Sequence, residues 1–409
     1  MKQKHVVIVG GGASGLVAAI TAAREGAKVT IIEQKDRLGK KILSTGNGRC
    51  NLTNEYMNSN CFRSDDMTLV SDVLQQFSYQ ETIQFFEDLG VILKNRQGYI
   101  YPISDQASTV SDVLIMEAKR LNVIILLEQS VKTISKSKLG YLVKTDKEVV
   151  LCDAVILATG GKAAPVLGSD GSGYTLAKSF GHHLSPVVPA LVQLKGKGNF
   201  FKQISGVRTN AKVTVFVDGN SLGEDIGELQ LTNYGISGIP VFQISRFAAK
   251  GLYEKKKVTV EIDFMPNMSD DEFHMFLKSR LDKHGHRTAE EFFTGMFHQK
   301  LIGLFLKISR ISSLCNMTEV TPAQLQLFQK VCKHFVVDIE GTNDFDQAQI
   351  CAGGVKTTEI NPQTMESLLA DHVYLTGELL DVDGICGGYN LQWAWATGYI
   401  AGKHAAKGN

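Results

Sequence analysis

The chain has 409 residues, more than a single hydrophobic core usually organises, so we expect two or more domains. It carries 43 Lys and Arg against 42 Asp and Glu, and the resulting net charge of +1 supplies no broad positive field for a nucleic-acid backbone. We therefore expect no nucleic-acid partner.

The seven cysteines are scattered, and no two have the C-x-x-C spacing of a zinc site or a redox motif. An odd number without a framework indicates neither disulfide bonds nor a bound metal, and favours a reducing cytoplasm. No uninterrupted apolar stretch approaches the roughly 20 residues of a membrane span, so no membrane partner is predicted.

The first chemical signal is a glycine-rich turn near the N-terminus. Residues 6–9 are four β-branched side chains, typical of a buried parallel strand. Gly10, Gly12 and Gly15 follow with G-x-G-x-x-G spacing and open an apolar helix. Glu33 ends the next predicted strand, where its carboxylate suits ribose hydroxyls and repels a 2′-phosphate. The unit predicts a dinucleotide site with the pyrophosphate at the helix N-terminus.

Residues 34–54 show neither helical nor strand periodicity. The segment combines three glycines with cationic side chains and short amides. This composition suits a loop that wraps a phosphate, and it equally suits a solvated basic loop. Composition alone leaves both interpretations open.

A second strand ending in glycines occupies residues 154–161. Its continuous apolar run ends in Thr159, Gly160 and Gly161, which predicts a central parallel strand whose end closely approaches a cofactor. Residues 168–173 are also glycine-rich and precede a helix, but no strand leads directly into them. We interpret them as a cap near the cofactor rather than as a second nucleotide fingerprint.

The middle of the chain has a different pattern of apolar and polar residues. Short strand patterns separated by Gly, Asn and Asp predict a β-domain. Helical patterns then run from Ser269 to about Lys333 and predict a helical subdomain.

Residues 37–54 resemble, almost residue for residue, the signature R-L-G-K-K-x-x-x-T-G-x-G-R-C-N-x-T-N of the YhiN/BaiN family of FAD-dependent oxidoreductases. Matches at 158–161, 351–355, 377–381 and 387–391 reinforce this resemblance. It implies an α/β fold with a Rossmann-like FAD-binding domain, in which helices and a small β-meander flank a parallel sheet. It also implies an inserted β-barrel-like domain that carries the helical subdomain.

The domain boundaries follow from the resemblance and the change of texture. We expect the FAD-binding domain over residues 1–189 and 350–409, and the substrate domain over 190–349. The substrate domain's β part is expected at about 190–266 and 335–349, and its helical subdomain at about 267–334.

The fingerprint, the glycine motifs and the resemblance together supply the candidate FAD contacts. By resemblance, Val131 lies on the adenine side, and Glu378 lies near the ribityl and pyrophosphate with Asp381 nearby. The helix that opens at Gly388 is expected to direct its positive end at the flavin ring and favour the reduced form. The candidates are Gly10, Gly12, Ala13, Ser14, Gly15, Glu33, Gln34, Lys41, Gly48, Arg49, Cys50, Asn51, Val131, Thr159, Gly160, Gly161, Gly377, Glu378, Asp381, Gly388, Tyr389, Asn390 and Leu391.

Two residues are candidates for catalysis. Cys50 follows Arg49, and a neighbouring cation can lower a thiol pKa enough to form a thiolate. Cysteine is also a common packing residue, so both interpretations stay open. Tyr234 lies in a stretch that the resemblance places beside the substrate cleft, with Ser237 close by; turn chemistry before a helix explains the same residues.

The predicted function is transfer of a hydride between flavin N5 and a small organic substrate at the domain interface. A second G-x-G-x-x-G unit is absent between residues 150 and 350. Either NAD(P)H therefore binds only transiently as the second reactant, or oxygen reoxidises the flavin. The resemblance leaves the substrate open.

Two rival functions are also considered. An FAD-dependent RNA-modifying enzyme shares glycine-rich flavin motifs, but the near-neutral charge argues against it. A flavin-binding redox sensor without enzymatic activity shares the same cofactor site.

Overall fold

The structure is a computed structural model that describes residues 3–407. The first two and last two residues of the predicted FAD-binding domain lie outside the described residues. The helices are α1 Ala13–Arg24, α2 Met67–Gln76, α3 Tyr79–Asp88, α4 Ala107–Arg120, α5 Ser172–Ser179, α6 Phe201–Ile204, α7 Ile239–Tyr253, α8 Asp270–His284, α9 Ala289–Phe293, α10 Gln299–Ile308, α11 Pro322–Lys333 and α12 Tyr389–Lys407.

Strands account for most of the remaining regular structure. They are β1 His5–Val9, β2 Lys28–Ile32, β3 Thr53–Asn54, β4 Phe62–Arg63, β5 Leu93–Arg96, β6 Tyr99–Pro102, β7 Ile124–Leu126, β8 Val131–Ser137, β9 Gly140–Thr145, β10 Val149–Cys152, β11 Ala154–Leu157, β12 Val188–Ala190, β13 Leu194–Gly196, β14 Arg208–Val217, β15 Asn220–Leu231, β16 Gly235–Ser237, β17 Val258–Asp263, β18 Phe335–Thr342, β19 Ile350–Ala352, β20 Val373–Leu375 and β21 Asp383–Gly384.

The chain divides into two compact units. The first unit extends to Val187 and resumes at Gln349, so that it is made from two separate segments. The second unit is the intervening stretch, Val188–Ala348.

A five-stranded parallel sheet organises the first unit, with strand order β20-β11-β1-β2-β7. In β1, Val7 lies opposite Val155 of β11 and Thr30 of β2. Strand β11 is buried throughout, and β1 and β2 are buried except at His5 and Lys28, which explains why their sequences are apolar without alternation. Strands β8 to β10 form an antiparallel three-stranded meander, as predicted.

The two chain segments of this unit meet where α12 packs against α1. A Cβ added at Gly398 would lie 2.3 Å from the Ser14 carbonyl oxygen, and one at Gly402 would lie 2.4 Å from that of Ala18. Only glycine permits this approach, so these two positions couple the C-terminal helix to the helix that follows the fingerprint.

The second unit contains a closed barrel with strand order β13-β16-β15-β14-β17-β18. Burial alternates along β17, whose Val258, Val260 and Ile262 fill the interior. Helices α8 to α11 form the predicted helical part, and Ser269 and Thr321 begin α8 and α11 with capping boxes.

Together these features confirm the predicted fold class. The helices formed by residues 3–407 include none that combines the length and apolar character needed to cross a membrane.

Candidate functional site

A cavity of about 430 Å³ opens at the carboxyl ends of β1, β2 and β11, where parallel sheets bind their ligands. Every residue that lines it belongs to the first unit. The lining consists of Val9, Gly10, Gly11, Gly12, Ala13, Ser14, Ile32, Glu33, Gln34, Lys40, Lys41, Ile42, Thr45, Gln129, Ser130, Val131, Lys132, Ala158, Thr159, Gly160, Leu167, Gly168, Ser169, Asp170, Ser172, Thr175, Leu176, Gln349, Ile350, Gly377, Glu378, Val382, Asn390, Leu391, Trp393 and Ala394.

One end of the cavity, formed by Gly10, Gly12, Ser14 and Glu33, is called the phosphate end. Gly10 has φ +103°, and a Cβ there would lie 2.4 Å from the Ala158 carbonyl oxygen. A Cβ at Gly12 meets no protein atom within 4 Å, so this backbone borders open space. Gly12 caps α1 without a side-chain hydrogen bond, which leaves the first-turn N–H groups for an anion.

Glu33 lines the same end. Its Oε2 accepts a hydrogen bond from the Gly11 N–H at 2.7 Å, and its Oε1 accepts one from the Lys35 N–H at 2.8 Å. Burial raises the pKa of this carboxyl, while the two N–H donors act in the opposite direction. Each oxygen keeps a further lone pair, so the carboxylate is fixed and still able to accept from ribose hydroxyls.

An ion pair joins distant parts of the chain along the cavity wall. Lys41 Nζ lies 2.8 Å from Glu378 Oε2 and also donates to the Ala163 carbonyl at 3.1 Å. The other carboxylate oxygen, Glu378 Oε1, accepts from the Cys351 N–H at 2.7 Å. Gln34 Nε2 donates to the Gly168 carbonyl at 2.6 Å, which ties the glycine-rich segment over the cavity. These bonds hold the wall in one arrangement.

Another part of the lining, made by Thr45, Asn390 and Leu391, is called the ring end. The Asn390 side chain accepts from the Gly384 N–H at 2.8 Å and donates to the Gly384 carbonyl at 2.9 Å. These bonds fix the first turn of α12, whose leading N–H groups have no intrahelical acceptor. The positive end of a helix therefore borders the cavity here.

The cavity fits FAD on three observations. Open space at Gly12, beside a helix N-terminus without a side-chain cap, suits a pyrophosphate. The fixed Glu33 carboxylate suits a ribose, and the α12 N-terminus at the ring end suits the anionic edge of a reduced flavin.

Several predicted contacts do not line the cavity. Gly15 packs against the Gly10 carbonyl, and Gly388 packs against the Thr53 backbone. Gly161 lies against Tyr174 and Cys351 behind the wall. The others outside the lining are Gly48, Arg49, Cys50, Asn51, Asp381 and Tyr389.

Asp381 and Tyr389 are buried behind the cavity wall. Asp381 is 1% exposed, and within residues 3–407 neither of its carboxylate oxygens has a hydrogen-bond partner. Tyr389 stacks edge-on against Phe62, with the ring centres 5.8 Å apart.

Of the two interpretations left open for Cys50, the structure supports packing and not a lowered thiol pKa. Its side chain is 0% exposed, and burial raises the pKa of the thiol to about 12. The neighbouring Arg49 is itself exposed and does not offset that loss of hydration. Cys50 is a packing residue in the first unit's core, and a thiolate role is not supported.

Tyr234 lies in the second unit, just before β16. Its hydroxyl accepts a hydrogen bond from Asn343 Nδ2 at 3.0 Å, and the residue is 37% exposed. Ser237 lies in β16 and is buried. Neither belongs to the cavity of the first unit.

Several lining residues were not found from the sequence. Ile42, Ile350, Val382 and Trp393 are apolar and look like ordinary core residues in a sequence. The other lining residues that were not named as contacts are Val9, Gly11, Ile32, Lys40, Thr45, Gln129, Ser130, Lys132, Ala158, Leu167, Thr175, Leu176, Gln349 and Ala394. Gly168, Ser169, Asp170 and Ser172 also line the cavity, in the glycine-rich segment that we interpreted as a cap near the cofactor. Within residues 3–407, no group of three or more His, Cys, Asp and Glu side chains is placed to hold a metal ion.

Comparison with known proteins adds three findings. The model of the HI0933-like protein Rossmann domain matches residues 4–404. The chain is 54% identical over 407 residues to the 3-dehydro-bile acid delta(4,6)-reductase of Clostridium scindens, covering 99% of this chain and 100% of that protein. It is 27% identical over 407 residues to the ribosomal RNA dihydrouridine synthase of Escherichia coli, covering 98% of each.

A solved structure shows the same fold. The 3-ketosteroid delta1-dehydrogenase of Sterolibacterium denitrificans matches with a TM-score of 0.50 at 11% identity, covering 99% of this chain and 100% of that one. The family model and the 54% identical relative confirm the resemblance found in residues 37–54. The chain belongs to the HI0933-like family and is an FAD-dependent oxidoreductase.

Proposed function

We propose that this protein reduces a conjugated carbon–carbon double bond in a small oxo compound of the bile-acid type. The supporting observation is the cavity of the first unit, with its phosphate end, fixed Glu33 and helix N-terminus at the ring end. The substrate class follows from the 54% identity, over essentially both full lengths, to a protein named as a 3-dehydro-bile acid delta(4,6)-reductase.

In this proposal, bound FAD supplies hydride transfer at its N5 position. The chain's own residues bind and orient the FAD and stabilise charge on it. Glu33 and the α1 N-terminus hold the ADP portion, and the Lys41–Glu378 pair fixes the wall beside it. The N-terminus of α12 stabilises the negative charge that accumulates on reduction.

The second reactant is NADH, NADPH or oxygen, acting at the same flavin. Anaerobic stopped-flow mixing of the oxidised holoenzyme with NADH and NADPH, and of the reduced holoenzyme with air, distinguishes them by the flavin spectrum. Bleaching by one nucleotide identifies the donor, whereas rapid recovery of absorbance in air alone identifies oxygen. No spectral change in any of the three arms would contradict both versions.

The substrate is tested with the reduced holoenzyme under anaerobic conditions. Mixing with a 3-dehydro-Δ4,6 bile acid is expected to restore the oxidised flavin spectrum and yield a product with one fewer double bond. The matched control is the same bile acid with those double bonds already saturated, which should leave the flavin reduced. Equal flavin reoxidation by both compounds, or by neither, would contradict the proposed substrate class.

RNA modification is the second candidate, because a 27% identical relative is named as a ribosomal RNA dihydrouridine synthase. The net charge of +1 does not favour it. Reoxidation of the reduced flavin by ribosomal RNA, together with dihydrouridine in that RNA, would replace the bile-acid proposal. A redox sensor would instead bind FAD without turning over either substrate.

The remaining parts of the proposal concern partners and location. We propose a small-molecule substrate with no nucleic-acid or membrane partner, and a cytoplasmic location. Fractionation of the native cell followed by immunoblotting checks the location directly.

A further inference from the structure

A small sheet in the first unit presents a polar, aromatic face. Strands β3, β6 and β5 pair antiparallel, with Asn54 and Arg96 on either side of Tyr99. Lys94 lies opposite Tyr101 in the same sheet. Directly opposed residues share a face, and Tyr99 and Tyr101 are two positions apart, so these five side chains project together. The intervening Ile100 is buried on the other side.

Two turns connect this face to residues that line the ring end of the cavity. A Cβ at Gly46 would lie 3.8 Å from the Tyr101 ring, and Gly46 follows Thr45, which lines the cavity. On the other side, a Cβ at Gly387 would lie 3.1 Å from the Tyr99 ring. Gly387 is held by a 3.1 Å hydrogen bond from Asn54 Nδ2 to its carbonyl, three residues before the cavity-lining Asn390. Both tyrosine rings therefore lie beside turns that lead directly into the cavity.

Cationic side chains outnumber anionic ones around the rings of Tyr99 and Tyr101. Asp105 is shared by Lys94 and Arg96, with Arg96 Nη2 lying 2.8 Å from its carboxylate. The Arg96 guanidinium also lies 5.7 Å from the centre of the Tyr101 ring. Arg49 is exposed, and its charge acts on Asp105 and Tyr101 as a third cation beside Lys94 and Arg96. Arg49 belongs to the same turn as Gly46, because its N–H donates to the Gly46 carbonyl at 3.2 Å.

We propose that Arg49, Tyr99 and Tyr101 form a substrate subsite that binds the carboxylate and one apolar ring face of the substrate. The inference rests on the proposed function and names the part of the chain that recognises the acid group. The guanidinium pairs with the carboxylate, and the phenol rings cover the apolar ring face. Anchoring the acid at this face leaves the rest of the molecule to extend toward the ring end of the cavity. Arg49 thereby acts on the substrate rather than on FAD.

The test compares a 3-dehydro-Δ4,6 bile acid with its methyl ester, which keeps the rings and removes the charge. Dissociation constants are measured by titrating the oxidised holoenzyme and following the flavin absorbance, and KM values are measured alongside. The wild type is expected to bind the acid roughly tenfold more tightly than the ester. Arg49→Gln is expected to abolish that preference by weakening binding of the acid, while retaining stoichiometric FAD.

Two further variants separate charge from ring contact. Arg120→Gln removes a cation at the far end of α4, where Arg120 pairs with Glu117, and should preserve the preference for the acid. Tyr101→Ala should weaken binding of acid and ester by similar factors, whereas Tyr101→Phe should retain both because the ring remains.

The binding measurement tests the subsite and the turnover measurement tests the proposed reaction, so the two claims can fail separately. Equal wild-type affinity for acid and ester, or loss of FAD from Arg49→Gln, would overturn the subsite even if both compounds are reduced. If neither compound is reduced but the acid preference depends on Arg49, the subsite stands and the proposed reaction fails.

Discussion

The two ends of the cavity are built in different ways. At the phosphate end, backbone approaches backbone so closely that a single added carbon atom would collide with Ala158 or with Gly10 itself. At the ring end, side chains and turns from separate segments meet, including Thr45 and Asn390. The phosphate end is therefore set by close contacts between backbone segments, and the ring end by side chains and turns.

The largest effect that tests this comparison is expected at Gly15. A Cβ there would lie 2.0 Å from the Gly10 carbonyl oxygen, so Gly15→Ala is expected to cost about 3 kcal/mol or more in the free energy of unfolding. The variant should also purify without flavin. Chemical denaturation and the ratio of flavin to protein absorbance measure the two effects.

Gly12→Ala is the matched control for Gly15→Ala. No protein atom lies within 4 Å of its added Cβ, so the free energy of unfolding of the apoprotein should change by less than about 1 kcal/mol. FAD binding should still weaken, because the methyl group enters the space that suits the pyrophosphate. Equal destabilisation of the apoprotein by both substitutions would contradict a steric origin for the difference.

The contact between α1 and α12 is expected to show the next largest effect. Gly402→Ala places a Cβ 2.4 Å from the Ala18 carbonyl oxygen and should lower the free energy of unfolding by about 2 kcal/mol. Gly303→Ala in α10 is the control, since its Cβ meets nothing within 4 Å and alanine favours helix by about 0.5–1 kcal/mol. Thermal melts are expected to show a lower melting temperature for Gly402→Ala and a higher one for Gly303→Ala. A stabilising Gly402→Ala would show that the helices separate easily.

At the ring end, Asn390→Ala removes both side-chain hydrogen bonds to Gly384. The first turn of α12 should loosen at a cost of about 1 kcal/mol, and its stabilisation of reduced flavin should weaken. The flavin reduction potential, measured by equilibration with a reference dye, should become more negative. A reduction potential equal to that of the wild type would contradict the claim that the α12 N-terminus stabilises the reduced flavin.

The smallest effect is expected at Cys50. Cys50→Ala should cost about 1 kcal/mol of stability through lost packing and leave FAD content intact. Because burial raises the pKa of its thiol to about 12, native Cys50 should resist iodoacetamide at neutral pH, whereas the partly exposed Cys315 should react faster. Mass spectrometry of digested protein locates the label. Rapid labelling of Cys50 in the native state would restore the thiolate interpretation.

The difference between the two ends of the cavity also explains which residues could be predicted from the sequence. Gly10, Gly12 and Glu33 carry their spacing in the sequence because β1, α1 and β2 follow one another along the chain and place all three. The parallel sheet, the meander and the barrel followed from strand texture and from resemblance. Arg49 and Cys50 share a motif with true neighbours of the cavity, yet neither lines it, because the turn directs one to the surface and the other to the core.

The apolar residues of the cavity wall were harder to predict, for a physical reason. Val382 and Ile350 are apolar, and apolar side chains have the same sequence pattern in a cavity wall as in a core. Tyr99 lies beside Gly387 because its strand pairs with a strand more than 40 residues earlier. Contacts of this kind arise only when distant segments assemble.

The central claim, that this cavity holds the ADP portion of FAD at the phosphate end, is tested most directly by comparing FAD and FMN. The dissociation constants of the apoprotein for both flavins are measured by fluorescence quenching, in the wild type and in Glu33→Gln. The account predicts that FAD binds at least roughly 100-fold more tightly than FMN, and that Glu33→Gln reduces this ratio about tenfold. Equal affinity for FAD and FMN, or a ratio unaffected by Glu33→Gln, would contradict it.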